Sequence, residues 1–151
     1  MSSIPAIRVA RKSDLESILE IEQQSFADEA FSATQFKYLQ QTPTSHFIVA
    51  TMRSVIAGYA VLLWRKNSKM LRVYSIAVDK EYWGLGVAHA LLNGAKRFAK
   101  EKQLLRLTLE VKIGNARAIS LYQKEGFCVI AQKKNYYDYG SHGLIMQYII
   151  E

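Results

Sequence analysis

Two glycines separated by one residue stand where a β-rich pattern gives way to a helical one, within residues 78–88. Gly84 and Gly86 let the backbone turn sharply and let a ligand approach it closely. The N–H groups at the start of the following helix attract an anion, and the helix dipole strengthens that attraction. The segment therefore predicts an anion site, although Gly-x-Gly also serves as a plain turn. His89 stands where a dinucleotide fingerprint needs its third glycine, and no Gly-Lys-Ser/Thr follows, so neither a Rossmann fold nor a P-loop is indicated.

A carboxylate, an amide and a phenol form a second group of candidate functional residues. Glu110 belongs to an alternating strand pattern that places it on the face opposite its apolar neighbours. Asn115 is suited to cap the helix that follows, and Tyr122 lies on the inner face of that helix. A carboxylate and a phenol beside an anion-binding helix start form a usable acid–base pair. The spacing alone leaves open a solvent-facing glutamate and a core tyrosine whose hydroxyl is satisfied.

The elements that position these residues follow from strand and helix patterns that alternate without a linker or an internal repeat. β-rich runs predict strands over residues 7–10, 46–51, 55–64, 71–78, 106–111, 127–132 and 143–150. Helical spacing predicts a helix from Ser13 onward and others over residues 32–41, 87–100 and 115–124. Residues 71–111 form a strand–helix–strand segment that is long enough for a parallel crossover. We therefore expect a single α/β domain over residues 1–151 with a mixed sheet.

The first predicted helix carries its own start signal. Ser13 is the expected cap, and Glu16 three residues later completes a capping box. Its apolar face is predicted to hold Leu15, Ile18, Leu19 and either Ile21 or Glu22, with acids opposite.

The composition excludes several classes of protein. Half of the 151 residues are apolar and 11% are aromatic, so enough surface can be buried to exclude disorder. The single cysteine excludes an internal disulfide framework, and the three histidines lack the spacing of metal ligands. The N-terminus lacks a signal-peptide pattern, and no apolar run approaches the roughly 18 residues of a membrane span. We therefore expect a cytoplasmic protein with no metal and no membrane partner.

The charge balance favours an anionic ligand. The net charge is +7, from 20 Lys and Arg against 13 Asp and Glu. This excess leaves open a phosphorylated cofactor, an acidic substrate or nucleic acid. A solvated basic face gives the same count.

Both groups of residues, in this order and spacing, resemble the GNAT superfamily of acyl-CoA-dependent N-acyltransferases. Within it, the ribosomal-protein-alanine N-acetyltransferase branch is the most similar. The family's cofactor signature, Gln/Arg-x-x-Gly-x-Gly/Ala, falls on residues 83–88, and Leu-Glu-Val with Asn115 is followed by Leu-Tyr-x-x-x-Gly-Phe at residues 121–127. The resemblance runs from Ile7 to Met146. It implies an α/β (α+β) fold with a mixed, mostly antiparallel sheet of about six or seven strands flanked by about four helices.

The resemblance implies acetyl-CoA as cosubstrate and gives each matching residue a role. It implies a cofactor segment formed by Trp83, Gly84, Leu85, Gly86, Val87 and Ala88, whose backbone holds the pyrophosphate. Ile76 and Val78 are implied to pair with the pantetheine arm, and the Val78 N–H to donate to the thioester oxygen. Asn115 is implied to form a hydrogen bond with the pantetheine. Tyr122 is implied to protonate the departing thiolate, and Glu110 is implied to act as the general base, directly or through water.

The acceptor side follows from the same resemblance. Phe31, Tyr136 and Tyr137 are implied to contact the acceptor, although both tyrosines equally suit the packing of a β-hairpin. A free α-amine has a pKa of about 7.7–8.0 and a lysine amine about 10.4, so a carboxylate base deprotonates the α-amine at lower cost. We therefore expect direct acetyl transfer to a protein or peptide N-terminus, by a monomer or homodimer. Acetylation of lysine or a small amine, non-catalytic acyl-CoA binding and nucleic-acid binding are the alternatives, with nucleic acid the least favoured.

Three positions depart from the family pattern. Trp83 replaces a Gln or Arg at the start of the cofactor signature, and Phe31 stands where the branch commonly has Trp. Ser141 and His142 replace a Glu-Asp pair near the last strands. Because a site for a basic N-terminal region loses two acids, we do not assign a ribosomal-protein substrate.

Overall fold

A computed structural model describes residues 4–134 and 142–151. One seven-stranded sheet is ordered β1-β2-β3-β4-β5-β7-β6. Its strands are β1 (Ala6–Val9), β2 (Ser45–Met52), β3 (Val55–Leu63), β4 (Met70–Val78), β5 (Arg106–Lys112), β6 (Cys128–Lys133) and β7 (Gly143–Ile149). The helices are α1 (Leu15–Phe26), α2 (Ala33–Gln40), α3 (Val87–Glu101) and α4 (Ala116–Lys124). The predicted fold class is confirmed.

The sheet is antiparallel except where β4 meets β5. These two strands run parallel and are joined through α3, which confirms the predicted crossover. Their ladder pairs only residues 70–73 with residues 106–109. Beyond that ladder β4 continues to Val78 and β5 to Lys112, so the two strands separate into a fork that opens between them.

Two hydrophobic clusters fill the two faces of the sheet. The buried stripe of α3 packs on one face and comprises Val87, Leu91, Leu92, Ala95 and Ala99, as its helical spacing predicts. The other face is covered by α1 and α2, whose largest buried side chains there are Ile18 and Phe36. The sheet therefore lies between two helical layers, with α3 on one face and α1 and α2 on the other.

Gly58 on β3 allows the start of α3 to approach the sheet. A Cβ atom at this position would lie 2.9 Å from the carbonyl oxygen of Ala77 and 3.0 Å from a methyl carbon of Val87. Because real Cβ atoms do not approach backbone oxygen this closely, only glycine fits without a shift. The first residue of α3, Val87, is thereby held directly against β3, the neighbour of the strand that leads into the helix.

The predicted start of the first helix was wrong in detail. A short 3₁₀ turn covers Lys12–Asp14, and α1 begins at Leu15. The Asp14 carboxylate, and not the Ser13 hydroxyl, organises this turn, because it accepts the backbone N–H of Arg11 at 2.6 Å. It also pairs with Arg8 of β1 at 2.7 Å. A charged acceptor with an arginine partner makes stronger hydrogen bonds than a neutral hydroxyl, so Asp14 sets the geometry of this turn.

Candidate active site

A cavity of about 710 Å³ opens in the fork between β4 and β5. The starts of α3 and α4 bound it on one side, and the segment between α1 and α2 bounds it on the other. It brings together most of the predicted site residues, namely Phe31, Ile76, Val78, Trp83, Gly84, Gly86, Val87, Ala88, Glu110, Asn115 and Tyr122. Leu85 does not line it and has an exposed side chain. Tyr136 and Tyr137 lie outside the described residues.

The glycine loop, residues 83–88, turns the chain from β4 into α3. Gly84 and Gly86 have φ angles of +79° and +84°, in the left-handed region that favours glycine. A Cβ at either position would meet no atom within 4 Å, so the backbone here is open to a ligand. The first α3 hydrogen bond runs from the N–H of Ala90 to the carbonyl of Gly86, which leaves the preceding N–H groups outside the helical ladder. The loop therefore fits a phosphate.

Alternate residues of β4 turn their backbone N–H and carbonyl groups toward the fork, where the carbonyl of Val78 accepts the indole N–H of Trp83 at 2.9 Å. Val78 is opposite Gly58 on β3, yet the ladder hydrogen bond there runs from Asp79 N–H to the carbonyl of Ala57. Val78 and Gly58 are therefore a non-hydrogen-bonded pair, and the N–H and carbonyl of Val78 turn away from β3. Ile76, two residues earlier, is turned the same way. The edge of β4 in the fork is thus an open strand edge for an extended ligand.

Glu110 is the first residue of β5 beyond the parallel ladder. It lies opposite Ile145 of β7, and its side chain is 18% exposed. The Nζ atom of Lys133 lies 3.1 Å from Oε1, and the guanidinium of Arg72 lies 3.7 Å from Oε2. These two cations hold the carboxylate at the base of the fork. Because the carboxylate remains partly exposed, water can exchange protons with it.

Asn115 and Tyr122 are presented by α4. The Asn115 side chain caps the helix by accepting the N–H of Ala118 at 3.1 Å, as predicted. Tyr122, two turns along, is buried beside Phe127 and faces the cavity. Gly126 ends the helix with a φ of +96°. The cap and the terminating glycine together fix the face of α4 that Tyr122 presents.

Sequence reasoning missed the functional position of Glu22. Its carboxylate is buried at the cavity wall and accepts hydrogen bonds from Ser75 Oγ at 2.6 Å and from the hydroxyl of Tyr59. Burial, with the neighbouring Glu22 charge, raises the pKa of Tyr59, so that hydroxyl stays protonated and donates. The signal in the sequence was the position of Glu22 within the apolar stripe of α1. A carboxylate that is buried with such a stripe must form hydrogen bonds with other buried groups.

Comparison with known proteins agrees with this geometry. The sequence model of the acetyltransferase (GNAT) family matches residues 15–127. The chain belongs to this family. It is an N-acetyltransferase, as its resemblance to the ribosomal-protein-alanine branch predicted.

Individual relatives match over nearly the whole chain. A Bacillus subtilis (strain 168) protein, whose name provisionally gives it as a [ribosomal protein bS18]-alanine N-acetyltransferase, is 33% identical over 97% of this chain and 96% of its own. The crystal structure of the ribosomal-protein-S18-alanine N-acetyltransferase from Escherichia coli has a TM-score of 0.88, with 27% identity over 98% of this chain and 95% of that one. Ard1 from Thermoplasma volcanium has a TM-score of 0.87, with 29% identity over 97% and 98%.

Two further predictions were that the chain has no membrane-spanning segment and no metal site. No helix among the described residues is long and apolar enough to cross a membrane. In the same part of the chain, no group of three or more His, Cys, Asp or Glu could hold a metal ion. The single-domain extent, the cytoplasmic location and the oligomeric state stay predictions.

Proposed function

We propose that this acetyltransferase moves the acetyl group of acetyl-CoA directly to the α-amine of a protein or peptide N-terminus, in a ternary complex. The observation that carries the proposal is the position of Glu110 at the base of the fork, in the same cavity as the glycine loop. A base and an anion site share one opening there, which suits a phosphorylated acyl donor and an amine acceptor. Two relatives that match nearly the whole chain have names that refer to alanine N-acetyltransferases, which supports the choice of an α-amine.

Acetyl-CoA would supply an activated acetyl thioester, and the chain's own groups would hold it. The N–H groups of residues 85–88 would bind the pyrophosphate at the start of α3. The open edge of β4 at Ile76 and Val78 would pair with the amides of the pantetheine arm, and Asn115 would contact the arm from α4. The Val78 N–H would donate to the thioester oxygen as that oxygen gains charge.

The transfer step needs one base and one acid. The acceptor nitrogen attacks the thioester carbonyl carbon, a C–N bond forms and the C–S bond breaks. Glu110 takes the proton that the amine loses, directly or through water. Tyr122, which lines the same cavity, gives its hydroxyl proton to the departing thiolate. Exchange with water then removes the proton from Glu110 and returns one to Tyr122. Atoms and charges balance without a covalent acetyl-enzyme, so the single cysteine is not required.

The free energy of deprotonation favours an α-amine over lysine. At pH 7 an α-amine costs about 1 kcal/mol to deprotonate and a lysine about 5 kcal/mol, at about 1.36 kcal/mol per pKa unit. The Glu110 carboxylate, which is held by the partly exposed cations Arg72 and Lys133, is an adequate base for the smaller of these two free energies. Phe31, which stacks on Tyr74 with ring centroids 4.4 Å apart, would form the acceptor side of the cavity. Tyr136 and Tyr137 stay proposed acceptor contacts.

Mass spectrometry of a peptide library tests the function. Each peptide carries a free α-amine and one internal lysine, and the library is incubated with the protein and acetyl-CoA. The proposal expects an acetyl group on the α-amine and none on the lysine. Modification of lysine alone would move the function to the lysine alternative. Binding of acetyl-CoA without any product would leave a small-molecule acceptor or a non-catalytic binding module.

A further inference from the structure

An arginine from α4 lies over the tryptophan that begins the glycine loop. The guanidinium carbon of Arg117 lies 3.5 Å from the centroid of the Trp83 ring. The ring is itself held, because its indole N–H donates to the carbonyl of Val78 at 2.9 Å. Both side chains line the cavity. The stack therefore joins the end of β4, the glycine loop and the start of α4 at one point.

The guanidinium of Arg117 is available to a ligand. It is exposed, and within residues 4–134 and 142–151 no carboxylate lies within ion-pair distance of it. Stacking on an aromatic ring uses the flat face of a guanidinium and leaves its N–H donors, which lie in the plane, free. Those donors match two phosphate oxygens at once. A cation is thus fixed in position beside the open glycine backbone without a protein anion to neutralise it.

We propose that Arg117, positioned by Trp83, is a binding residue for the pyrophosphate of acetyl-CoA; this assignment rests on the proposed function. Trp83 stands where the family's cofactor signature has Gln or Arg, so the polar side chain expected at the start of the loop is absent. By stacking on Trp83, Arg117 of α4 places a positive charge at the start of the glycine loop. The pyrophosphate is the assigned partner because Trp83 is continuous with Gly84 and Gly86.

Calorimetric titration of three ligands tests the assignment. Acetyl-CoA carries all the phosphates, acetyl-3′-dephospho-CoA keeps only the pyrophosphate, and S-acetylpantetheine has neither. Arg117→Met keeps side-chain length and removes the charge, and Lys124→Met removes an exposed charge from the other end of α4 as the matched control. We expect Arg117→Met to weaken binding of acetyl-CoA and of the dephospho form about tenfold, as loss of a charged hydrogen bond predicts. S-Acetylpantetheine should bind the unsubstituted protein and Arg117→Met with equal affinity. Lys124→Met should leave the affinity for all three ligands unchanged.

The role of Trp83 is tested by a double-mutant cycle. If the ring positions Arg117, Trp83→Ala weakens acetyl-CoA binding in the unsubstituted protein and has much less effect when residue 117 is already Met. Arg117→Lys, which keeps the charge, should restore part of the lost affinity. Equal, additive losses from both substitutions would overturn the positioning role.

Four results would overturn the assignment to the pyrophosphate. Unchanged acetyl-CoA affinity in Arg117→Met excludes a role for the charge. An equal loss with S-acetylpantetheine means that the stack only supports the cavity wall. A loss confined to acetyl-CoA, and absent with the dephospho form, moves the contact to the 3′-phosphate. Failure of the unsubstituted protein to bind acetyl-CoA contradicts the proposed function itself, and with it this assignment.

Discussion

The carboxylate of Glu22 on α1 accepts the backbone N–H of Phe31 at 3.0 Å, across the turn that leads to α2. The bond ties the acceptor-side segment to a buried point in the core. The same carboxylate is also bonded to Tyr59 of β3 and Ser75 of β4. One carboxylate oxygen accepts hydrogen bonds from the sheet and the other accepts the N–H of Phe31. Glu22 therefore sets the distance between the fork and the segment that joins α1 to α2.

Glu22→Gln should therefore raise the KM for a peptide acceptor more than it changes acetyl-CoA affinity. A glutamine offers one acceptor oxygen in place of two, so it leaves at least one donor unsatisfied. We expect a loss of about 1–3 kcal/mol in the free energy of unfolding, typical of a buried donor without a partner. Steady-state kinetics and urea denaturation measure the two effects. Tyr59→Phe is the control, since it removes one donor and leaves the Phe31 bond; a peptide KM raised equally by both variants would argue against the positioning role.

Tyr122→Phe should lower kcat while acetyl-CoA still binds. The substitution removes only the hydroxyl that we assign as the proton donor, and loss of a general acid lowers rates by roughly 10²–10⁴-fold. The ring, which packs on Phe127, is kept. Thiol release in the presence of a peptide acceptor measures kcat, and calorimetry measures acetyl-CoA affinity. Tyr148→Phe, outside the cavity lining, is the matched control; a normal kcat in Tyr122→Phe would reject the assignment.

Asp14 should make stability depend on acid pH. Its hydrogen bond with Arg8, helped by the Arg11 N–H, lowers the pKa of the Asp14 carboxyl. Since the folded state binds this proton less readily than the unfolded state, the stabilisation is complete above the ordinary pKa of about 3.9 and is lost as the pH falls below it. Asp14→Asn should cost about 1.5–3 kcal/mol near pH 7, and the difference from the unsubstituted protein should shrink below about pH 3.9. Urea denaturation across this pH range measures the difference in the free energy of unfolding between the two proteins. Glu16→Gln, at an exposed position, is the control. A difference that does not vary with pH would contradict the ion pair.

Periodicity predicted the elements that local pattern controls. The stripe of α3, the cap at Asn115 and the glycine stop at Gly126 all follow from neighbours within a few residues. Alternation also placed Glu110 on the face opposite Leu109. Short-range rules of helix and strand geometry are therefore enough to place the glycine loop and Glu110, whereas the site roles of Ile76 and Val78 were implied only by the family resemblance.

Contacts between distant residues were not predictable in this way. Tyr74 is an extra residue in the pairing of β4 with β3, because Val73 and Ser75 are opposite consecutive residues, Leu62 and Val61. Nothing in the alternation of β4 signals that bulge. The stack of Arg117 on Trp83 and the partners of Glu22 likewise depend on elements that meet only in the folded chain.

The rate of α-amine acetylation by Glu110→Gln tests the central claim most directly. Glutamine keeps the size of the side chain and removes its capacity to take a proton. With a peptide whose α-amine is free and whose lysines are blocked, we predict a kcat lowered by roughly 10²–10⁴-fold at neutral pH, with acetyl-CoA affinity retained. An unchanged kcat would contradict the account, because it would mean that the carboxylate at the base of the fork is not the base for the transfer.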